Sequence, residues 1–126
     1  MTGTGMPWRE ARGVGDRGED RACDHLVKLG WEVLERNWRC PEGELDVVAR
    51  DPRGGLVFCE VKTRRSTRFG FPVEAVGVDK ARRLRRLAWA WLEAHGQRGA
   101  SFRIDLIGVL LPRDREAELE HLEAVA

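Results

Sequence analysis

The chain has 126 residues, 42% hydrophobic and 34% charged, with a formal net charge of +1. That length holds one domain with a single core but not two, and that balance fits a soluble globular protein rather than a disordered or membrane one. No apolar run approaches a bilayer span and the first residues lack a signal-peptide core, so a cytoplasmic location without a membrane partner is expected.

Residues 1–13 mix Gly, Pro and polar side chains without periodicity and read as a flexible leader, which places the folded domain at 14–126. From about Val14 to Leu29 the apolar residues Ala22, Cys23, Leu26 and Leu29 follow helical spacing, and Gly30 is a fitting residue just past a helix end. Alternation from Trp31 predicts a first strand ending near Asn37. "ELDVVAR" and "LVFCEVK" predict two more, joined by the turn "DPRGG" into an antiparallel meander. Residues 63–71 (TRRSTRFGF) read as a basic loop. In "VDKARRLRRLAWAWLEAHG", Ala81, Leu84, Ala88, Trp91 and Leu92 mark a second helix. "SFRIDLIGVLL" predicts a fourth strand stopped by Pro112, and "HLEAV" a short edge strand at the end. Together these elements describe a single α/β domain with a mixed central sheet flanked by helices.

The three cysteines, Cys23, Cys40 and Cys59, are odd in number, form no CxxC and sit in or beside apolar runs, which marks them as reduced and mostly buried. Three scattered histidines without a Cys/His pairing argue against zinc, so a metal here would be held by oxygen. Charge is uneven along the chain. Residues 60–86 contain nine bases (Lys62, Arg64, Arg65, Arg68, Lys80, Arg82, Arg83, Arg85, Arg86) and three acids, a balance of +6 that leaves −5 elsewhere. Such a local surplus suits a phosphate-bearing partner. Phe69, Phe71, Trp89 and Trp91 lie among these residues as candidate stacking groups, the two Trp fitting a core or interface better.

The meander carries an unusual set of charges. If "DPRGG" is a five-residue hairpin loop, Arg50 pairs with Leu56 and the register runs back to set Asp46 opposite Glu60 and Glu44 opposite Lys62. Two opposed carboxylates repel unless they share a cation, and an all-oxygen site points to Mg²⁺ or Mn²⁺. Lys62, one pleat along, would hold an attacking water or neutralise a phosphate. Glu19 extends the apolar stripe of the first helix by one turn and points toward the sheet as a third acid. Plainer accounts exist for each part: a salt-bridge ladder on the wet face of a hairpin, or an acid favouring a helix dipole.

The order "GEDRACDHL", "RNWR", "GELDVVA", "VFCEVKTR", "RFGFPVEAV", "KARRLRRLAWAWL" and "FRIDLI" resembles the YraN-type family of uncharacterised bacterial proteins along about 15 to 111. The resemblance implies a restriction-endonuclease-like αβββαβ core, similar to archaeal Holliday-junction resolvases, whose site uses an acid, then Asp, then Glu-x-Lys. It places Glu19, Asp46, Glu60 and Lys62 in those roles and Lys80 at the polar start of the second helix, and it leaves Glu44 without a standard role. The implied function is a divalent-metal DNA endonuclease, acting on branched or otherwise structured DNA. Two other classes fit the residues: a non-catalytic nucleic-acid-binding module, and a homodimeric scaffold joined through the Trp89 and Trp91 side of the second helix.

Overall fold

The computed structural model describes residues 14–66 and 77–126, with side chains from residue 17 onward. The leader and residues 67–71 of the basic loop, Arg68, Phe69 and Phe71 among them, lie outside the described residues. The elements follow in the order α1 (Val14–Lys28), β1 (Glu32–Cys40), β2 (Gly43–Arg50), β3 (Leu56–Arg64), α2 (Val78–Ala94), β4 (Phe102–Leu110) and β5 (Glu118–Leu122). They form a single α/β domain with one five-stranded mixed sheet in the order β1-β2-β3-β4-β5. Among the described strands only β3 and β4 run parallel, because α2 intervenes; the other neighbours are antiparallel. Two strands differ from the predicted bounds. β1 continues past Asn37 to Cys40, and the last strand lies earlier than "HLEAV", at Glu118–Leu122, where it pairs with the end of β4.

Each helix covers one face of the sheet. Ala22, Cys23 and Leu26 of α1 pack on Val47, Ala49, Val57, Cys59, Ile107 and Val109. Leu84, Leu87, Ala88, Trp91 and Leu92 of α2 pack on Leu45, Val48, Leu56, Phe58 and Ile104. Such burial on both faces explains why β3 and β4 read as near-continuous apolar runs. α1 stops where Gly30, at φ 86, takes the left-handed conformation that a helix end favours and that glycine adopts without strain. Trp91 belongs to this core and donates its indole N–H to Glu35 at 2.9 Å, whereas Trp89 is 56% exposed. The two tryptophans therefore do not share an exposed face, which corrects the surface expected for a scaffold dimer. Cys23, Cys40 and Cys59 are free, with Cys23 and Cys59 buried. Among the described residues, no helix is long and apolar enough to cross a membrane.

The "DPRGG" turn closes as its residues require. Asp51 accepts the N–H groups of Arg53 and Gly55 through its side chain, and Arg50 pairs with Leu56. From there the β2–β3 ladder runs in the expected register, through Ala49 with Val57 and Val48 with Phe58 to Val47 with Cys59.

Candidate functional site

The ladder stops one residue short of the acids. Asp46 and Glu60 are not backbone partners, nor are Glu44 and Lys62. Asp46 instead turns its carboxylate between the strands, where Oδ2 accepts the Val61 N–H at 2.8 Å. The cause is a lost beat in the pleat. Val47 and Ala49 face α1 and Val48 faces α2, yet Leu45 also faces α2, so alternation fails at Asp46. β1 does the same directly opposite, between Arg36 (paired with Val47) and Trp38 (paired with Leu45): Arg36 reaches α1 and Trp38 packs on the α2 cluster. The residue between them, Asn37, has φ 57, a left-handed conformation that Asn tolerates better than most side chains. Freed from both layers, Asp46 sits in a splay of the sheet.

Three more acids surround that splay. Glu19 comes from α1, whose start is pressed against β3: a Cβ at Gly18 would collide with the side chain of Thr63. Arg36 holds Glu19 at 3.2 Å and Asp20 at 2.8 Å. Burial raises the Glu19 carboxyl above its ordinary value, against the pull of Arg36 and Asn37. Glu60 pairs with Lys80 at 2.8 Å. Glu44 lies opposite Arg39 on β1 and pairs with it at 3.4 Å, an exposed contact. Asp46 is different. Burial first, then the nearby Glu60, push its carboxyl up to about 8, although the Val61 N–H pulls the other way and Glu19 and Glu44 add to the rise. Among the described residues no ion pair compensates it.

Two lysines complete the arrangement. Lys80, which the sequence set on an open basic surface with Arg82, Arg83, Arg85 and Arg86, turns inward from the first turn of α2, and its side chain is only 20% exposed. A hydrogen bond to Lys80, then burial, lower Lys62. Burial pulls Lys80 down too, but its bond to Glu60 outweighs this and leaves it raised. The Glu60 carboxylate thus favours the charged form of Lys80, while the nearby Lys80 ammonium works against that of Lys62. Arg82, Arg83, Arg85 and Arg86 are exposed on α2, Arg64 is exposed at the end of β3, and Arg65 is half-buried with a long 3.5 Å contact to the Leu111 carbonyl.

A second polar cluster was not foreseen. Asp105, in the middle of β4, is completely buried. Arg103 binds it through Nε at 2.9 Å and a second nitrogen at 3.3 Å, His121 Nε2 lies 2.8 Å away, and the Ala124 N–H donates at 3.0 Å. His121 then meets His25 of α1 at 3.0 Å. Burial pulls the Asp105 carboxyl up, but His121, Arg103 and Ala124 outweigh it and leave it below its ordinary value. Among the described residues, Asp105, His121 and Glu123 are the three whose donor atoms lie within 4.8 Å of one another. Arg103 reaches both Asp105 and Glu123, so this cluster already contains its cation. The signal in the sequence was a lone Asp inside "RIDLIGVLL", an ionisable group in a run that must be buried.

Residues 18–109 match the uncharacterised protein family UPF0102. The chain belongs to this family. Family members similar to it include a protein of Streptomyces griseus, 54% identical over 118 residues that cover 92% of this chain and 98% of the relative. Another, from Mycobacterium sp., is 52% identical over 120 residues, covering 94% and 88%. A third, from Mycolicibacterium vanbaalenii, is 49% identical with both chains covered in full. Among solved structures, one described as an EndoMS–dsDNA2 complex is similar over 75% of this chain and 35% of that one, at 20% identity and a TM-score of 0.45.

Proposed function

We propose that this UPF0102 protein is a cytoplasmic, divalent-metal-dependent DNA endonuclease that hydrolyses phosphodiester bonds in branched or otherwise structured DNA. The observation that carries the reading is Asp46: a carboxylate in a sheet splay, beside Glu60, Glu19 and Glu44, with no cation of its own among the described residues. The donor chemistry fits a hard cation, since Asp46, Glu60 and Glu19 offer oxygen only. Asp46, Glu60 and Glu19 would hold the ion; Glu60 is paired with Lys80 and Glu19 with Arg36, whose charge a bound cation would replace.

When bound, Mg²⁺ or Mn²⁺ supplies Lewis-acid polarisation of the phosphoryl oxygen and a lower pKa for the attacking water. The chain's own groups do the rest. Lys62, one pleat beyond Glu60 on β3, stabilises the charge that develops on the phosphate as water attacks. Lys80, released from Glu60, lies beside Lys62 and adds a second positive charge. Arg64, Arg65 and Arg68, with Arg82, Arg83, Arg85 and Arg86 on α2, hold the flanking backbone.

Cleavage of duplex, single-stranded, flap and four-way-junction DNA with Mg²⁺ or Mn²⁺ tests the reading. Product should appear for at least one substrate and vanish in Asp46→Asn and Glu60→Gln, while calorimetric Mn²⁺ binding falls in parallel. Unchanged cleavage in both variants rejects the site. The close Lys80–Glu60 pair favours one second reading, a non-catalytic DNA-binding module in which that pair is permanent. It predicts binding that weakens steeply with salt and no product with either ion.

A further inference from the structure

A groove of about 600 Å³ lies on the α1 side of the domain, lined by Arg17, Asp20, Arg21, Asp24, Arg65 and Arg113 together with Leu111 and Pro112. We infer that this groove is a second DNA-backbone seat, which grips the strand beyond the cleaved phosphodiester while the arginines of α2 hold the opposite side. The inference rests on the endonuclease reading for the position of the reacting phosphate, but not for the binding itself.

Charge is the first support. Four arginines line the groove against two aspartates, and Asp20 is already neutralised by Arg36 at 2.8 Å. Arg17, Arg21 and Arg113 are exposed, so their guanidinium groups are open to solvent. Guanidinium groups held around a concavity match phosphate oxygens better than a flat basic face does. Leu111 and Pro112 supply an apolar floor for sugar edges.

Position is the second support. β3 carries Glu60, Lys62 and Arg64, and Arg65 follows directly after its end, so groove and acids are consecutive along the chain. From Lys62 to Arg65, at the end of β3 and one residue beyond, the chain advances about 10 Å at about 3.3 Å per residue. That distance equals about three nucleotide rises of about 3.4 Å. β3 and β4 are parallel and end together, the Leu111 N–H donating to the Arg64 carbonyl at 2.8 Å, which builds the floor at the carboxyl end of the pair. α1 closes the wall, because Gly18 against Thr63 sets its first turns beside β3. Arg36 binds Asp20 on the groove side and Glu19 on the acidic side, so one guanidinium ties the seat to the site.

The charge-reversed variant Arg17→Glu/Arg21→Glu alters only exposed side chains, and Arg113→Glu is a second, independent variant on another element. Anisotropy with labelled duplex and four-way-junction DNA, read without divalent metal across a salt series, compares them with wild type and with Arg85→Ala/Arg86→Ala. Arg17→Glu/Arg21→Glu should bind at least about tenfold more weakly, with a salt slope shallower by about 0.9 for each phosphate that is no longer neutralised. Arg113→Glu should shift in the same direction by less. Wild-type affinity in both groove variants, with loss only in the α2 variant, overturns the seat and leaves the endonuclease reading standing. Weakened binding by the groove variants of a wild type that never cleaves supports the seat and removes the catalytic reading. No DNA binding by wild type at low salt overturns both.

Discussion

Half-buried Asp46 and fully buried Asp105 are aspartates of one sheet, and their surroundings could hardly differ more. Asp105 has a two-pronged guanidinium, an imidazole and a backbone N–H, and is held below its ordinary pKa. Asp46 has one backbone N–H and three neighbouring acids, and is pushed up to about 8. A buried carboxylate whose lone pairs are satisfied by the protein serves the fold, tying β4 to β5 and, through His121 and His25, to α1. One left short of positive charge is set up for something the chain does not itself supply. Perturbation alone does not separate structure from function; the direction and cause of the shift do.

The largest expected effect tests the finished side of this contrast. Asp105→Asn leaves Arg103 and His121 facing a neutral amide in a dry core, and urea unfolding at neutral pH should show a loss of about 3 kcal/mol. Because the wild-type carboxyl is depressed, its contribution is present above the unfolded value near 3.8 and disappears as pH falls through the lower folded value. Stability of the variant should therefore fall less than that of wild type on acidification.

Gly18→Ala comes next. The added methyl meets Thr63, so a loss of about 1 to 3 kcal/mol is expected in thermal melts, and Thr63→Ala in the same chain should recover much of it. Failure of that rescue would mean that α1 is positioned by other contacts.

Asp46→Asn inverts the Asp105 result. With its folded pKa raised, the wild-type group favours folding fully below about 3.8 and loses that contribution as pH rises through about 8. Without divalent metal the variant should be more stable than wild type above pH 8, by about 1 kcal/mol or more. Added Mn²⁺ should stabilise wild type and narrow the difference. A wild type that melts identically at acid and alkaline pH, with no effect of the substitution, breaks the comparison.

The smallest effect belongs to Glu44→Gln. Its pair with Arg39 is exposed and is worth no more than about 0.5 kcal/mol, so unfolding should be nearly unchanged.

Much of the fold was legible because it rests on short-range chemistry: the Asp-Pro-Arg-Gly-Gly turn set the β2–β3 register, helical spacing marked the α2 core, and the Val- and Phe-rich runs marked the strands. Of the expected acidic site, Glu60 and Glu19 do act electrostatically on Asp46, but among the described residues the acids and histidines whose donor atoms lie within 4.8 Å of one another are Asp105, His121 and Glu123. What escaped was whatever departs from periodicity or joins distant segments. Period-two reasoning assumes an unbroken pleat, so it could not foresee that Asn37 and Asp46 would drop a beat together and carry Asp46 between strands. Lys80 was grouped with its neighbours by charge, though its position in the first turn of α2 directs it inward to Glu60. The Asp105 network joins residues 25, 103, 105, 121 and 124, separations that no local pattern spans. Gly18 did leave a trace, a glycine inside an otherwise helical segment, which often marks a close approach.

The single parallel pairing, β3 with β4, also has a kinetic consequence. Hairpin turns bring β1, β2 and β3 together over short loops, whereas β4 reaches β3 only after the chain closes over α2. Such closure is slow compared with hairpin formation. The carboxylates of the meander thus gather early, and Lys80 arrives later on α2. Refolding monitored by stopped-flow should accordingly be faster at pH values where Asp46 is protonated, and Asp46→Asn should remove that dependence.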